Sequence, residues 1–151
     1  MRAMLTALLT VLFLTACSNK EIIDYEYSFT GESEHWAAEY FVQGTEKWGK
    51  KNNSVTYSNE SSYIFTIKYK GTLEELASVK TLEFAYETNT SGGSKNMEFD
   101  EPLTEVVYTT SESSKGGAKV GEDEVIQVNV KWDEAEESFE LQNRGERIFP
   151  R

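Results

Sequence analysis

The sequence predicts an all-β protein, an antiparallel β-sandwich of the immunoglobulin-like kind with seven or eight short strands and one short helical turn near residues 72–77. Three observations lead there. Apolar and polar residues alternate with period two in one segment after another, turn-forming residues separate these segments, and neither a sustained helical period nor a βαβ alternation is present. A barrel made of the same strands is the alternative, since pattern alone does not define strand order.

The first element is not a strand. Arg2 gives a positive start, residues 3–14 carry no charge, and Leu14-Thr15-Ala16-Cys17 comes immediately after. An apolar run of twelve residues makes a helix of roughly 18 Å, well short of the ~30 Å of hydrocarbon that a spanning segment must cross. Residues 1–16 therefore read as a secretion signal, and the four residues ending in Cys17 resemble the lipobox of bacterial lipoproteins. That resemblance implies a Cys17 thiol joined to diacylglycerol, a chain cut before it and an amino terminus open to acylation, for instance by palmitate. Each buried acyl CH₂ contributes about 0.8 kcal/mol, so two or three chains make a firm anchor.

Composition constrains the chain beyond the anchor. Removing residues 1–16 leaves 135 of the 151, enough for one domain. Cys17 is the only cysteine, so the domain has no thiol for a disulfide, a zinc site or a nucleophile. The net charge of −11 becomes −12 with the loss of Arg2, which argues against nucleic acid as a partner. An acidic domain near an anionic bilayer is expected to be repelled and to stand away from it. Residues 17–22 form the lipidated anchor and a short linker, residues 23–142 the sandwich, and residues 143–151 a C-terminal tail.

Strand by strand, Ile23, Tyr25, Tyr27 and Phe29 alternate with Asp24, Glu26 and Ser28. Trp36, Ala38, Tyr40 and Val42 do the same with Ala37, Glu39 and Phe41, and Gly31-Glu32-Ser33 between them suggests a hairpin turn. Residues 44–53 gather Gly, Lys and Asn around Trp48 and read as a loop or a wide connection. Val55 and Tyr57 mark a short strand, Asn59-Glu60-Ser61 a turn, and Tyr63, Phe65, Ile67 and Tyr69 the inner face of the next strand. Thr72, with Glu75 three residues on, has capping-box spacing for the helical turn. Leu82, Phe84 and Tyr86 give another strand, residues 89–96 a flexible loop around Gly92-Gly93, and residues 98–108 an edge strand able to hold Pro102. Residues 111–124 form the longest unpatterned stretch. Ile126, Val128, Val130 and Trp132, then Phe139 and Leu141, form a hairpin with an acidic tip, and residues 142–151 are expected to fray.

Little in this pattern points to catalysis. His35 is the only histidine, and no Gly-x-Ser-x-Gly elbow accompanies it, so an exposed strand histidine is expected. With Glu32 or Glu34 it offers one imidazole and carboxylates, a poor transition-metal set. No catalytic residue, cofactor or metal is assigned. If a cation such as calcium binds, the candidate ligands are Asp123, Glu124, Asp133 and Glu134, although none has Asp-x-Asp-x-Asp-Gly spacing and polar hairpin tips account for them. A pair of carboxylates at glycosidase spacing would discriminate nothing in a chain with 26 acids. Trp36 and Trp132 fall on inner faces and read as core. Trp48, between Lys47 and Gly49, is the aromatic candidate for contact with a ligand or partner.

The lipobox together with Gly31-Glu32-Ser33-Glu34-His35-Trp36 resembles the small, acidic lipoproteins of Gram-positive bacteria, many of which carry Gly-Glu-Ser-x-x-Trp soon after the anchor. The resemblance implies a lipid-anchored domain on the extracytoplasmic face of the cell membrane, and brings no catalytic residues because that group has no assigned activity. The expected function is a non-enzymatic binding or accessory module of the cell envelope, with the membrane reached through Cys17 and an envelope protein as partner. A calcium- or cation-binding module using the acidic loops is the alternative, and a small envelope hydrolase the second alternative.

Overall fold

The computed structural model describes residues 20–150, so the signal segment and Cys17 lie outside the described residues. Eight strands and one helix of four residues occur in order: β1 (Glu21–Glu32), β2 (Trp36–Lys51), β3 (Ser54–Tyr69), α1 (Leu73–Leu76), β4 (Thr81–Glu87), β5 (Gly92–Glu98), β6 (Val107–Lys115), β7 (Val125–Trp132) and β8 (Ala135–Asn143). Every pairing is antiparallel, and hydrogen bonds join the strands into a single sheet of order β5-β4-β7-β8-β1-β2-β3-β6. The protein is all-β with one short helical turn, as its alternation predicts.

The sheet curls until its two halves face each other. The Phe65 ring on β3 lies 5.8 Å from that of Phe84 and 4.5 Å from that of Tyr86 on β4, although β3 and β4 are far apart in strand order. The two layers of the sandwich are thus halves of one sheet, continuous through a short β1–β8 ladder at Phe29↔Asn143 and Thr30↔Gln142. Period two supplies the core: Phe29, Trp36, Tyr40, Val42, Phe65, Ile67, Phe84, Ile126, Val130 and Leu141 are all buried between the halves. Helix α1 closes one end with buried Leu76. The Glu75 carboxylate accepts the Thr72 N–H at 3.0 Å, as the capping-box spacing requires.

Several expected loops are strand instead, each for a local reason. Strands β2 and β3 run unbroken for 16 residues each through segments read as a loop at 44–53 and a turn at 59–61. The true turn is Asn52-Asn53, with φ of 51° and 63°; two successive left-handed residues are what a two-residue hairpin needs to match strand twist. Gly44 is a strand residue because the Tyr25 ring lies across it, where a Cβ would collide. Asn59 is a buried plug: its side chain accepts from Tyr25 Oη at 2.9 Å and donates to Gly117 O at 3.3 Å. Gly92 and Gly93 begin β5, Gly92 against the backbone of Tyr86 and Gly93 beneath its ring. The edge strand expected at 98–108 is absent; Pro102 lies in the connection between β5 and β6. Residues 111–115 complete β6, whose Ser-rich edge has no buried side to impose alternation.

The tail does not fray. Glu39 is only 1% exposed, and its carboxylate accepts from Arg147 Nε at 2.8 Å, Ile148 N at 2.6 Å and Phe149 N at 2.9 Å. The Arg147 guanidinium also lies 4.1 Å above the Phe41 ring. A buried carboxylate is tolerable when charged and backbone donors meet it, and here the last residues of the chain provide them.

Candidate functional site

The acidic candidates do not gather. Asp123 and Glu124 precede β7 and Asp133 and Glu134 come after it, so eight strand residues, about 27 Å at ~3.4 Å each, separate the two pairs. Asp133 is committed to the fold. It begins the two-residue β7–β8 turn at φ 49°, and its Oδ1 accepts from Lys80 N at 2.9 Å and Thr81 N at 3.0 Å, which holds its carboxyl below the usual range. Glu124 is buried and accepts the backbone N–H groups of Gly121, at 3.0 Å, and of Asn89. Asp123 and Glu134 are exposed.

His35 has a partner that the sequence does not reveal. In the turn between β1 and β2 its Nδ1 lies 2.5 Å from Glu137 Oε1, while Ser33 Oγ and His35 N donate to Glu137 Oε2 at 2.5 and 3.1 Å. The ring lies 6.2 Å from Tyr69 and 5.8 Å from Trp132. The hydrogen bond to Glu137 raises the His35 pKa against the smaller opposing effect of desolvation. Burial alone would push the Glu137 carboxyl up, but the bonds from Ser33 and His35 hold it down. Ser33 thus bonds the carboxylate rather than the imidazole, and the nucleophile-to-base contact of acyl transfer is lacking. Among the described residues, Glu34, His35 and Glu137 are the one group of three with ligand atoms mutually within 4.8 Å, but Glu137 already holds Ser33 and His35. Its visible work is to fasten the β1–β2 turn to β8.

Trp48 belongs to a surface of a different kind. The register Glu21↔Trp48↔Tyr57 and Lys50↔Val55 puts Ile23, Trp48, Val55 and Tyr57 on the same face of the sheet as the core residues Tyr25, Tyr40 and Phe65. The facing strands β4, β5, β7 and β8 have 7, 7, 8 and 9 residues, so they cannot cover strands of 16. The core face therefore runs on into solvent. Trp48 is 40% exposed, its ring 4.5 Å from that of Tyr57, and Val55 is 66% exposed. Lys119 marks where the cover stops: its Nζ lies 2.8 Å from Glu46 Oε2 and 4.5 Å from the Tyr25 ring centroid. The Glu46 carboxyl is held low by this hydrogen bond and the Lys119 ammonium correspondingly high. Beyond it, Lys20, Glu21, Trp48, Gly49, Lys50 and Val55 line a shallow hollow of about 440 Å³.

Sequence reasoning singled out Trp48 but missed Val55, Tyr57 and Ile23 as its companions, since their alternation reads as core. The signal that could have found them is the period-two placement of Val55, Tyr57, Tyr63 and Phe65, which lie on one face if the strand runs unbroken through 59–61. No family model matches the chain, and no curated protein or solved structure is significantly similar to it.

Proposed function

We propose that this protein is a lipid-anchored, extracytoplasmic lipoprotein domain, held to the cell membrane through Cys17 and acting as a non-enzymatic binding or accessory module of the envelope. The observation that carries the binding part is the uncovered core face at the β2–β3 tip, where Trp48, Tyr57 and Val55 stand together in solvent. The anchor part is supported by Leu14-Thr15-Ala16-Cys17 behind an uncharged run. Neither alternative gains from the geometry: the acids of a cation site are split between the two ends of β7, and the single histidine is not paired with a nucleophile. The test is metabolic labelling with a palmitate analogue followed by membrane fractionation. The native chain should carry label and sediment with membranes, and Cys17→Ser should lose both. A native chain without label removes the anchor from the reading.

A further inference from the structure

We infer that the occupant of the β2–β3 tip is the bilayer surface itself: the Trp48–Tyr57–Val55 face rests obliquely at the headgroup level, with Lys20, Lys50 and Lys51 against anionic lipid phosphates. This rests on the lipid anchor at Cys17 proposed above and names what the anchored domain touches.

Reach is the first argument. Strand β1 is antiparallel to β2, so the chain traced backwards from Glu21, which pairs with Trp48, heads toward the same end as the hairpin tip. Cys17 is three residues before Lys20 and can lie at most about 11 Å beyond it. The tip runs three residues past Trp48 to Lys51, about 10 Å. A cysteine held at the membrane surface therefore brings the tip to the same plane. Tethering also keeps the tip at high local concentration beside the lipid, so a modest patch suffices.

Charge is the second. Across residues 47–58 there are three lysines and no acid, in a chain with 26 acids, and Lys20 adds a fourth cation at the same end; with Glu21 beside Lys20 and Glu60 3.6 Å from Lys47, the balance there is still positive. Net charge predicts repulsion from an anionic bilayer, but screening makes the local charge at the contact decisive, and here it is positive. Residue type is the third. Trp and Tyr prefer the boundary between hydrocarbon and headgroups, and lysine stems can lie along apolar surface while their ammonium groups reach the phosphates. An exposed valine beside them fits lipid better than water.

The test uses the full-length, lipidated protein purified from membranes and reconstituted into phosphatidylglycerol–phosphatidylcholine vesicles with or without brominated acyl chains. Vesicle flotation reports the anchor, and tryptophan emission reports the tip. Trp36, buried, and Trp132, on β7 beside it, lie at the opposite end of the molecule, so short-range bromine quenching should fall on Trp48 alone. The expected result is flotation with emission quenched in brominated vesicles, and no quenching in Trp48→Phe. Replacing Lys50 and Lys51 by alanine should leave flotation intact and lower the ratio of docked to undocked molecules about 25-fold, roughly fivefold per lysine. Flotation with equal emission in both vesicle types overturns the docking while the anchor stands. Trp48 shielded from aqueous acrylamide yet unquenched by bromine overturns it in favour of a protein cover, either a partner or a second copy. Equal quenching in vesicles of phosphatidylcholine alone overturns the assignment to anionic lipid. Protein that does not float overturns both readings.

Discussion

Trp36 and Trp48 lie on one strand and on the same face of it, yet the first is sealed in the core and the second stands in solvent. Around Trp36 the facing half of the sheet is present: besides its cross-strand neighbour Tyr69 at 5.2 Å, its ring meets Trp132 of β7 at 5.7 Å. Around Trp48 only its cross-strand neighbour Tyr57 remains. Alternation decides which face a residue occupies, and the length of the opposing strands decides whether that face is covered. A residue can thus satisfy every sequence rule for the core and still be free to meet something else.

The largest expected effect sharpens this contrast directly. Trp36→Ala should cost about 3–5 kcal/mol in urea unfolding, whereas Trp48→Ala should cost no more than about 1.5 kcal/mol, the worth of its aromatic contact. Similar losses at the two positions would break the comparison.

Next comes Glu39, on the opposite face of the same strand. Glu39→Gln keeps the volume but loses the charge that holds Arg147 and two backbone N–H groups, and should cost about 2–3 kcal/mol. Limited proteolysis should then cut within residues 144–150, a segment resistant in the parent. Unchanged resistance would show that the tail is held by something other than Glu39.

The His35–Glu137 contact should make stability at the Trp36 end depend on pH. His35 titrates above its ordinary 6.5 in the folded state, so its contribution is full below 6.5 and fades as pH rises through the raised value. Glu137 titrates below its ordinary 4.5, so its contribution is present above 4.5 and is lost as pH falls through the lowered value. Melting temperature for the native chain relative to His35→Gln should therefore show its largest gap between pH 4.5 and 6.5. A gap independent of pH would show that the pair contributes by packing alone.

The smallest effect lies at the border between the two regions. Lys119→Met removes the bond to Glu46 and the cation over the Tyr25 ring, both partly open to water, and should cost about 1 kcal/mol or less. Exchange of the β2–β3 amides beyond residue 46 should quicken more than that of the amides before it.

The covered half was legible because burial on one side imposes the alternation that Trp36, Tyr40, Phe65, Phe84 and Ile126 display. The uncovered half was not, for reasons of composition. Gly44, Gly49 and the Lys-Asn run are poor strand formers taken singly, and only the Tyr25 ring over Gly44 and the left-handed Asn52-Asn53 turn explain why a strand tolerates them. Long-range polar partners were illegible for another reason. Glu39 looks like any outward residue of a strand, and its donors lie 108 to 110 positions away; Glu137 is 102 positions from His35. Pattern reading sees neighbours along the chain, whereas these bonds join its two ends. Of the candidate site, Trp48 was visible as an aromatic among lysines, and its companions were hidden by obeying the rule for core residues.

The ladder between β1 and β8 bears on how the molecule comes into being. Because Phe29 pairs with Asn143, the sheet becomes continuous only after almost the whole chain has emerged, and Glu39 waits longer still for Ile148 and Phe149. Contacts of such wide sequence separation close slowly, on the millisecond-to-second scale typical of β proteins. Until β8 and residues 147–149 arrive, the hairpins paired earlier remain two halves not joined by hydrogen bonds and Glu39 lacks its donors, so the segment after β7 works as the latch that ends assembly.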